Sequence, residues 1–226
     1  MFNIWIIFGA FALLSWIVSS QLRSRFNKYS QIPVNYGFTG KAVAEKMLAD
    51  NGIYDVSVKS VGGELTDHYN PMNKSINLSQ AVYHGSNVAA AAVAAHECGH
   101  AVQHAKAYSW LTMRSALVPV VSFASKWVQW VLLGGILLVN TFPQLLLGGI
   151  IMFGAITLFS FITLPVEVNA SQRALAWLTN TGITSHSNFP QAKSALKWAA
   201  YTYVVAALQS LATLVYYVMI FLGRRK

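Results

Sequence analysis

Acidic side chains are scarce in this 226-residue chain, which has seven carboxylates against sixteen Lys and Arg and a net charge of +9. Only 10% of the residues are charged, compared with about 25% in an ordinary soluble domain, and 55% are hydrophobic. This composition excludes intrinsic disorder, which requires low hydrophobicity and high charge. A mechanism that needs a carboxylate must therefore use one of seven residues: Glu45, Asp50, Asp55, Glu64, Asp67, Glu97 and Glu167.

Cysteine is nearly absent as well. The single Cys98 excludes an intrachain disulfide framework and a cysteine-based structural zinc site. The basic residues form no dense run, so the net charge does not predict a nucleic-acid partner. The best local cluster, Arg23, Arg25 and Lys28, follows an apolar stretch and suits attraction to an anionic membrane surface.

Long apolar stretches indicate a membrane protein. They occur at residues 4–19, 117–139, 143–164 and 199–222, and each is close to or above the ~20 residues that cross a bilayer as a helix. The first is read as an uncleaved anchor because its positive charges follow it, whereas those of a signal peptide precede the apolar region. The second and third are joined by three residues and predict a helical hairpin. We therefore predict a mainly α membrane protein with about four transmembrane helices.

The remaining segments are polar enough to lie outside the bilayer. Residues 21–115 favour a short helix at 40–51, a strand at 54–60, strands at 64–69 and 75–79 around a turn, and an Ala-rich helix from about 86 to 106. The strands predict a small antiparallel meander. The predicted organisation is an anchor at 1–20, a soluble segment at 21–115, a transmembrane hairpin at 116–164, a helical segment at 165–198, and a C-terminal transmembrane helix with a basic tail at 199–226.

Positive charges near the span ends predict the orientation. If all four apolar stretches cross the membrane, most of these positive charges lie on one side, and that side is expected to be cytoplasmic. The tail Arg224-Arg225-Lys226 conflicts with this count, so either the last stretch does not fully cross or the tail is translocated. The charges that agree are Arg23, Arg25, Lys28, Lys106, Arg114, Arg173, Lys193 and Lys197.

The most informative motif is His96-Glu97-Cys98-Gly99-His100, an H-E-x-x-H pattern after the helix-forming run VAAAAVAA. Residues four apart lie on one helix face, so the two imidazoles can bind one Zn²⁺. Glu97 then lies beside the metal and can take a proton from a water molecule on it. The alternative, two surface histidines and a solvated glutamate, fits poorly in a chain with so few polar residues.

A catalytic zinc needs a third protein ligand and an open position. Glu167 is the only carboxylate after Glu97, and it is expected on the same side of the membrane as the motif. The alternative for Glu167 is a first-turn glutamate stabilised by the helix dipole. His104 lies about 12 Å from His96 along a helix, too far for one ion to bridge. The candidate site is therefore one zinc ion held by His96, His100 and Glu167.

Other polar residues are weaker candidates. Asp67 and His68 fit either a substrate cleft or turn packing, and His84 and His186 are expected in loops. Cys98 is expected to face away from the ligands and to pack in the core. The candidates for stabilising an oxyanion are His68, Tyr69 and Arg173.

Together these motifs resemble the YugP-like neutral zinc metallopeptidases of bacterial membranes, and the resemblance covers nearly the whole chain. More distantly, the chain is similar to the HtpX-like membrane peptidases, in which a membrane hairpin also separates H-E-x-x-H from a glutamate ligand. The residues that carry the resemblance are the H-E-x-x-H motif with its Ala-rich approach, Thr66-Asp67-His68-Tyr69-Asn70-Pro71, Ile76-Asn77-Leu78-Ser79 and Leu164-Pro165-Val166-Glu167-Val168-Asn169-Ala170-Ser171.

The resemblance implies a zincin-like α+β peptidase domain of the gluzincin type, with Glu167 as the third ligand. In HtpX-like proteins an Asp follows that glutamate by four residues, whereas Ser171 stands there in this chain. The hydrogen bonds that orient the zinc ligands are therefore expected from Asn169, Ser171 or Arg173.

The sequence thus predicts a membrane-embedded zinc-dependent endopeptidase, with Glu97 as the general base that passes its proton to the leaving amine. Its expected partners are a peptide or protein substrate and the lipid bilayer, and a strand edge at 74–79 is expected to hold the peptide. One alternative is an intramembrane site-2-type protease, which needs the motif in a spanning helix and an Asp ligand, although the last Asp is Asp67. The other is a non-catalytic, zinc-stabilised membrane scaffold, which would not need Glu97. No sequence feature indicates an oligomeric state.

Overall fold

The computed structural model describes residues 4–223, and the basic tail Arg224-Arg225-Lys226 lies outside the described residues. Helices dominate, and a short 3-10 turn lies at Asn35–Gly37. The elements in chain order are α1 (Ile4–Tyr29), α2 (Gly40–Asp50), β1 (Ser57–Val61), β2 (His68–Asn70), β3 (Ser75–Ser79), α3 (Gln80–Tyr83), α4 (Val88–Ala105), α5 (Ser109–Leu137), α6 (Pro143–Asn180) and α7 (Phe189–Gly223).

Four of these helices, α1, α5, α6 and α7, are long and apolar enough to cross a membrane. This finding confirms the predicted class, a mainly α membrane protein. The helices also extend well beyond the apolar stretches: α6 continues to Asn180 and α7 begins at Phe189. Helical backbone can continue past the apolar segment because the polar residues that follow it are also compatible with a helix.

The described residues group into two compact units. One, here called the apolar unit, contains Thr112–Leu164 with the N-terminal part through Ile17 and the C-terminal part from Thr202. The other, here called the mixed unit, contains Val18–Leu111 and Pro165–Tyr201. All strands and the H-E-x-x-H motif belong to the mixed unit, so the candidate site can be described within it.

Helix α6 passes through Pro165 without ending. A proline inside a helix removes one hydrogen bond and costs about 3 kcal/mol, which other interactions must offset. Because α6 begins at Pro143, Glu167 lies well inside the helix. The alternative in which Glu167 is a first-turn residue stabilised by the helix dipole is therefore wrong.

The sheet is mixed, with strand order β1-β3-β2. Strands β2 and β3 pair antiparallel, with His68 opposite Asn77, which confirms the predicted hairpin. Strand β1 pairs parallel with β3, so the predicted antiparallel meander is wrong. Both edges of β3 are occupied and all five of its residues are buried. The predicted free edge at 74–79 is therefore wrong as well, and the free edges belong to β1 and β2.

Helix α4 is the centre of the mixed unit. The Asn87 side chain caps it by accepting a hydrogen bond from the Ala90 N–H at 2.9 Å. Seven of its 18 residues are buried alanines, and these small residues let α2 and the sheet pack closely against it. The helices predicted at 40–51 and 86–106 are thus confirmed as α2 and α4, each within two residues at its ends.

Candidate metal centre

His96 and His100 lie one turn apart on α4, with ring centroids separated by 4.8 Å. Their Nε2 atoms lie 3.3 Å and 3.5 Å from the same atom, Oε2 of Glu167 on α6. The ligand atoms of the three residues lie within 4.8 Å of one another. The structure therefore brings together the three residues predicted as ligands, although Glu167 is 67 residues beyond His100 in sequence.

These donors fit a metal cation. The Glu167 side chain is only 4% exposed, and its Oε2 atom has no hydrogen-bond partner among the described residues. A buried, unpaired carboxylate oxygen is costly, and a cation between it and the imidazoles removes that cost. Tetrahedral zinc with ligand bonds of 2.0–2.2 Å separates neighbouring donors by about 3.3 Å, close to the two distances observed. The three residues could thus hold a metal ion, and two histidines with one carboxylate are the ligand set of many catalytic zinc sites.

The other ring nitrogen of each histidine, Nδ1, also has a hydrogen-bond partner. Nδ1 of His96 lies 3.1 Å from the Ser171 hydroxyl, and Nδ1 of His100 lies 3.1 Å from Oε1 of Gln103. An amide oxygen only accepts hydrogen bonds, so Nδ1 of His100 must donate, and in the neutral ring this leaves the Nε2 lone pair facing Glu167. This is the tautomer that metal binding requires.

Gln103 is fully buried and connects α4 to α6. Its Nε2 donates to the carbonyl of Val166 at 2.8 Å and to Oδ1 of Asn169 at 3.0 Å, and these two bonds fix which end of the amide faces His100. Nε of Arg173 also donates to Asn169 Oδ1, at 2.7 Å. Ser171 thus contacts a candidate ligand directly, Asn169 contacts Gln103, and Arg173 contacts Asn169. That these three residues support the ligands stays a prediction.

Gln103 itself was not among the predicted site residues. Its spacing of three from His100 places it on the ligand face of α4. A large amide on the buried face of an Ala-rich helix needs hydrogen-bond partners. That combination is the sequence signal that could have identified it.

Replacing Gln103 by Leu tests this support. The change keeps the volume but removes the acceptor for His100 Nδ1, so we expect zinc affinity to fall about 10- to 100-fold. A competition titration of the purified protein against a zinc-binding dye measures the effect. Gln80→Leu, at an exposed position, is the matched control. Equal zinc affinities in the two variants would show that Gln103 does not support the site.

Glu97, the predicted base, is buried at the next position along α4 from His96. Its Oε2 accepts a hydrogen bond from the backbone N–H of Tyr69 in β2 at 2.9 Å. The Tyr69 hydroxyl lies 2.8 Å from Nδ1 of His104. Strand β2 is thereby attached to α4 through Tyr69, which places this predicted site residue next to Glu97.

His68 and Asp67 have partners near the sheet instead. Nδ1 of His68 lies 2.8 Å from the Thr66 carbonyl, and its Nε2 lies 3.3 Å from the Asn77 amide nitrogen. The Asp67 carboxylate accepts from the backbone N–H and the hydroxyl of Ser79. These contacts favour the turn-packing interpretation of both residues.

Burial and charge shift several pKa values around the site. Burial is the largest influence on the pKa of His100 and lowers it, but Glu167, Glu97 and Gln103 together raise that pKa above its ordinary value. The environment of His100 therefore favours a positive charge, which a proton or a metal cation can supply. Burial also raises the pKa of Asp67, against the lowering effect of its hydrogen bonds from Ser79.

Cys98 lies within the motif but faces the core. It is fully buried, and its Sγ lies 3.5 Å from the carbonyl of Ala44 on α2. Burial, with a contribution from Glu97, raises the pKa of the Cys98 thiol well above its ordinary value. A neutral buried thiol is neither a nucleophile nor a metal ligand, and the expectation that Cys98 packs in the core is confirmed.

Gly99 allows α4 to approach the backbone of α6. A Cβ atom at this position would lie 2.6 Å from the carbonyl oxygen of Ala170, and backbone cannot move as a flexible side chain can. We expect Gly99→Ala to destabilise the fold by about 1–3 kcal/mol through overpacking, measured as a lower midpoint of thermal unfolding in detergent. Gly148→Ala is the control, because its Cβ would meet nothing within 4 Å. Equal midpoints would contradict the close approach.

Sequence comparison identifies the class to which this fold and ligand cluster belong. Residues 4–222 match the model of a family described as "Putative neutral zinc metallopeptidase", and the chain belongs to that family. It is 42% identical over 225 residues to the "Putative membrane protease YugP" of Bacillus subtilis (strain 168), covering 100% of this chain and 99% of the relative. No solved structure matches the chain. The predicted family resemblance is thereby confirmed.

Proposed function

We propose that this protein is a membrane-embedded endopeptidase that holds one zinc ion with His96, His100 and Glu167 and uses Glu97 as its general base. One observation carries the proposal: within residues 4–223 the buried Oε2 of Glu167 has no hydrogen bond, and it faces the Nε2 atoms of both motif histidines. Membership of a zinc metallopeptidase family supports the choice of metal and of reaction.

A bound zinc ion supplies Lewis acidity, which polarises a carbonyl and makes a water molecule easier to deprotonate. Glu97 accepts the proton of the attacking water and delivers it to the leaving amine. The Tyr69 N–H holds Oε2 of Glu97, while Oε1 has no hydrogen bond among residues 4–223. Oε1 is therefore the oxygen that we assign to proton transfer.

Strand β2 is the edge that we assign to the substrate. The Tyr69 N–H points to Glu97 and away from β3, so the Tyr69 carbonyl points to the same open side. A peptide that adds to this edge accepts or donates main-chain hydrogen bonds next to the base. Of the three oxyanion candidates, we assign Tyr69, because its backbone N–H holds it next to Glu97. His68 instead lies against Thr66 and Asn77, and Arg173 donates to Asn169.

We assign the site to the cytoplasmic side of a multi-pass membrane protein. The support for this assignment is the number of positive charges that flank the spans on that side. The site-2-type alternative gains no support, because α4 is not among the four candidate spans and a glutamate accompanies the histidines.

Peptide cleavage by the purified protein tests the proposal. The full-length chain in detergent is stripped of metal with a chelator, divided, and given either one equivalent of zinc or none. Both samples are incubated with a broad peptide library and analysed by mass spectrometry. We expect internal cleavage only in the zinc-loaded sample. Stoichiometric zinc binding without cleavage of any peptide would favour the zinc-stabilised scaffold instead.

A further inference from the structure

A lysine lies in the middle of one candidate membrane span. Lys126 is on α5, about 26 Å from Ser109 and about 17 Å from Leu137 at the helical rise of 1.5 Å per residue. The hydrocarbon core of a bilayer is about 30 Å thick, so Lys126 is close to the midplane if Leu137 lies near one surface. Its side chain is exposed on the outside of the apolar unit. An ionisable residue at this depth normally has a partner.

The described part of the chain does not supply that partner. Lys126 has no ion pair or hydrogen bond to any of the residues that the structure describes. All seven carboxylates lie between Glu45 and Glu167 and belong to the mixed unit, so the apolar unit contains none. A second copy of this chain therefore cannot offer Lys126 a carboxylate within the membrane. A lipid headgroup at the surface lies farther away than a lysine side chain can reach from this depth.

A cavity with polar groups lies beside Gln129, three residues after Lys126. It has a volume of about 490 Å³ and lies among α1, α5, α6 and α7 inside the apolar unit. Gln129, one turn after Lys126, lines it together with Gln209, Ser210 and Thr213. The side-chain amides of Gln129 and Gln209 make no hydrogen bond within the described part of the chain. Amides in a bilayer usually bond to a neighbouring helix.

We propose that the α5 face around Lys126 and Gln129, with the adjoining cavity, is a docking site for a transmembrane helix of another membrane protein. That helix carries an Asp or Glu near the bilayer midplane. The carboxylate pairs with Lys126, and the glutamine amides offer hydrogen bonds beside it. Trp130, exposed on α5 one turn after Lys126, provides apolar contact area for the incoming helix. The proposal does not depend on the peptidase assignment.

Helix association in reconstituted vesicles tests the proposal. The probe is a synthetic Leu/Ala helix of about 24 residues, long enough to span the bilayer, with a dansyl label and one central Glu. The matched peptide has Leu at that position. Energy transfer from tryptophan to dansyl reports association with the full-length protein in phosphatidylcholine vesicles. We expect the wild type to prefer the Glu peptide by about tenfold, Lys126→Arg to keep the preference and Lys126→Met to lose it.

Val120→Met, an exposed position on a different face of α5, is the control that should keep the preference. Size-exclusion profiles and unfolding midpoints establish that each variant folds. Equal association of the two peptides with the wild type would overturn the proposal, as would a preference that survives Lys126→Met. Dimers of this chain that form through α5, without a preference for the Glu peptide, would also overturn the proposal. So would retention of anionic lipid that depends on Lys126, again without a preference for the Glu peptide.

Discussion

Replacing Glu97 by Gln should abolish peptide cleavage and leave zinc binding intact. Glutamine keeps the size of the side chain, and its amide oxygen can still accept the Tyr69 N–H that now bonds to the carboxylate. It cannot take a proton from water, so the turnover number should fall on the order of 10²- to 10⁴-fold. The measurement pairs steady-state cleavage of a library-derived peptide with zinc analysis of the same sample.

Glu64→Gln is the matched control, because Glu64 is exposed and has no salt bridge in the described structure. It should behave as the wild type. A Glu97→Gln variant that still cleaves at more than a tenth of the wild-type rate would remove Glu97 from the role of base. A variant that loses its zinc would make Glu97 a ligand, contrary to its position beside the cluster of His96, His100 and Glu167.

Replacing Glu167 by Gln should have the opposite signature, with loss of zinc as the primary effect. The change removes the negative charge that faces both imidazoles and leaves a weaker neutral oxygen donor. Losing a supporting hydrogen bond costs 10- to 100-fold in metal affinity, and losing a ligand should cost at least about 100-fold. Competition with a zinc-binding dye measures the affinity, and cleavage should recover in part when zinc is in large excess.

Comparing the two variants separates a catalytic site from a structural one. Zinc retained without activity in Glu97→Gln, and zinc lost in Glu167→Gln, is the pattern of a peptidase. In a zinc-stabilised scaffold the first change would have little effect on any property. If Glu167→Gln bound zinc as tightly as Glu64→Gln, the ligand assignment would be wrong.

The helical parts of the fold were predictable because their signals are local. The Ala-rich run with its i, i+4 histidines indicates α4, and the four apolar stretches indicate the long helices. The proximity of Glu167 to the histidines was predictable for a different reason. So few carboxylates follow the motif that the choice of a third ligand was nearly forced.

The strand order was not predictable, because the alternation of side chains shows which face of a strand is buried but not which strand is its neighbour. Placing β1 parallel to β3 depends on how residues 62–67 carry the chain across the sheet. Gln103 was missed because its role exists only when Val166 and Asn169 of α6 lie against α4. The continuation of α6 through Pro165 was not predictable for a similar reason, because tertiary packing outweighs the local tendency of proline to end a helix.

X-ray absorption at the zinc edge tests the central claim most directly, with the full-length protein loaded to its measured zinc content. The account predicts one zinc ion per chain, bound by two imidazole nitrogens and a carboxylate oxygen at about 2.0–2.2 Å, with no sulfur ligand. The imidazole signature should be absent from a variant lacking both His96 and His100. A spectrum with sulfur at about 2.3 Å, with oxygen ligands only, or with more than one zinc ion per chain would contradict it.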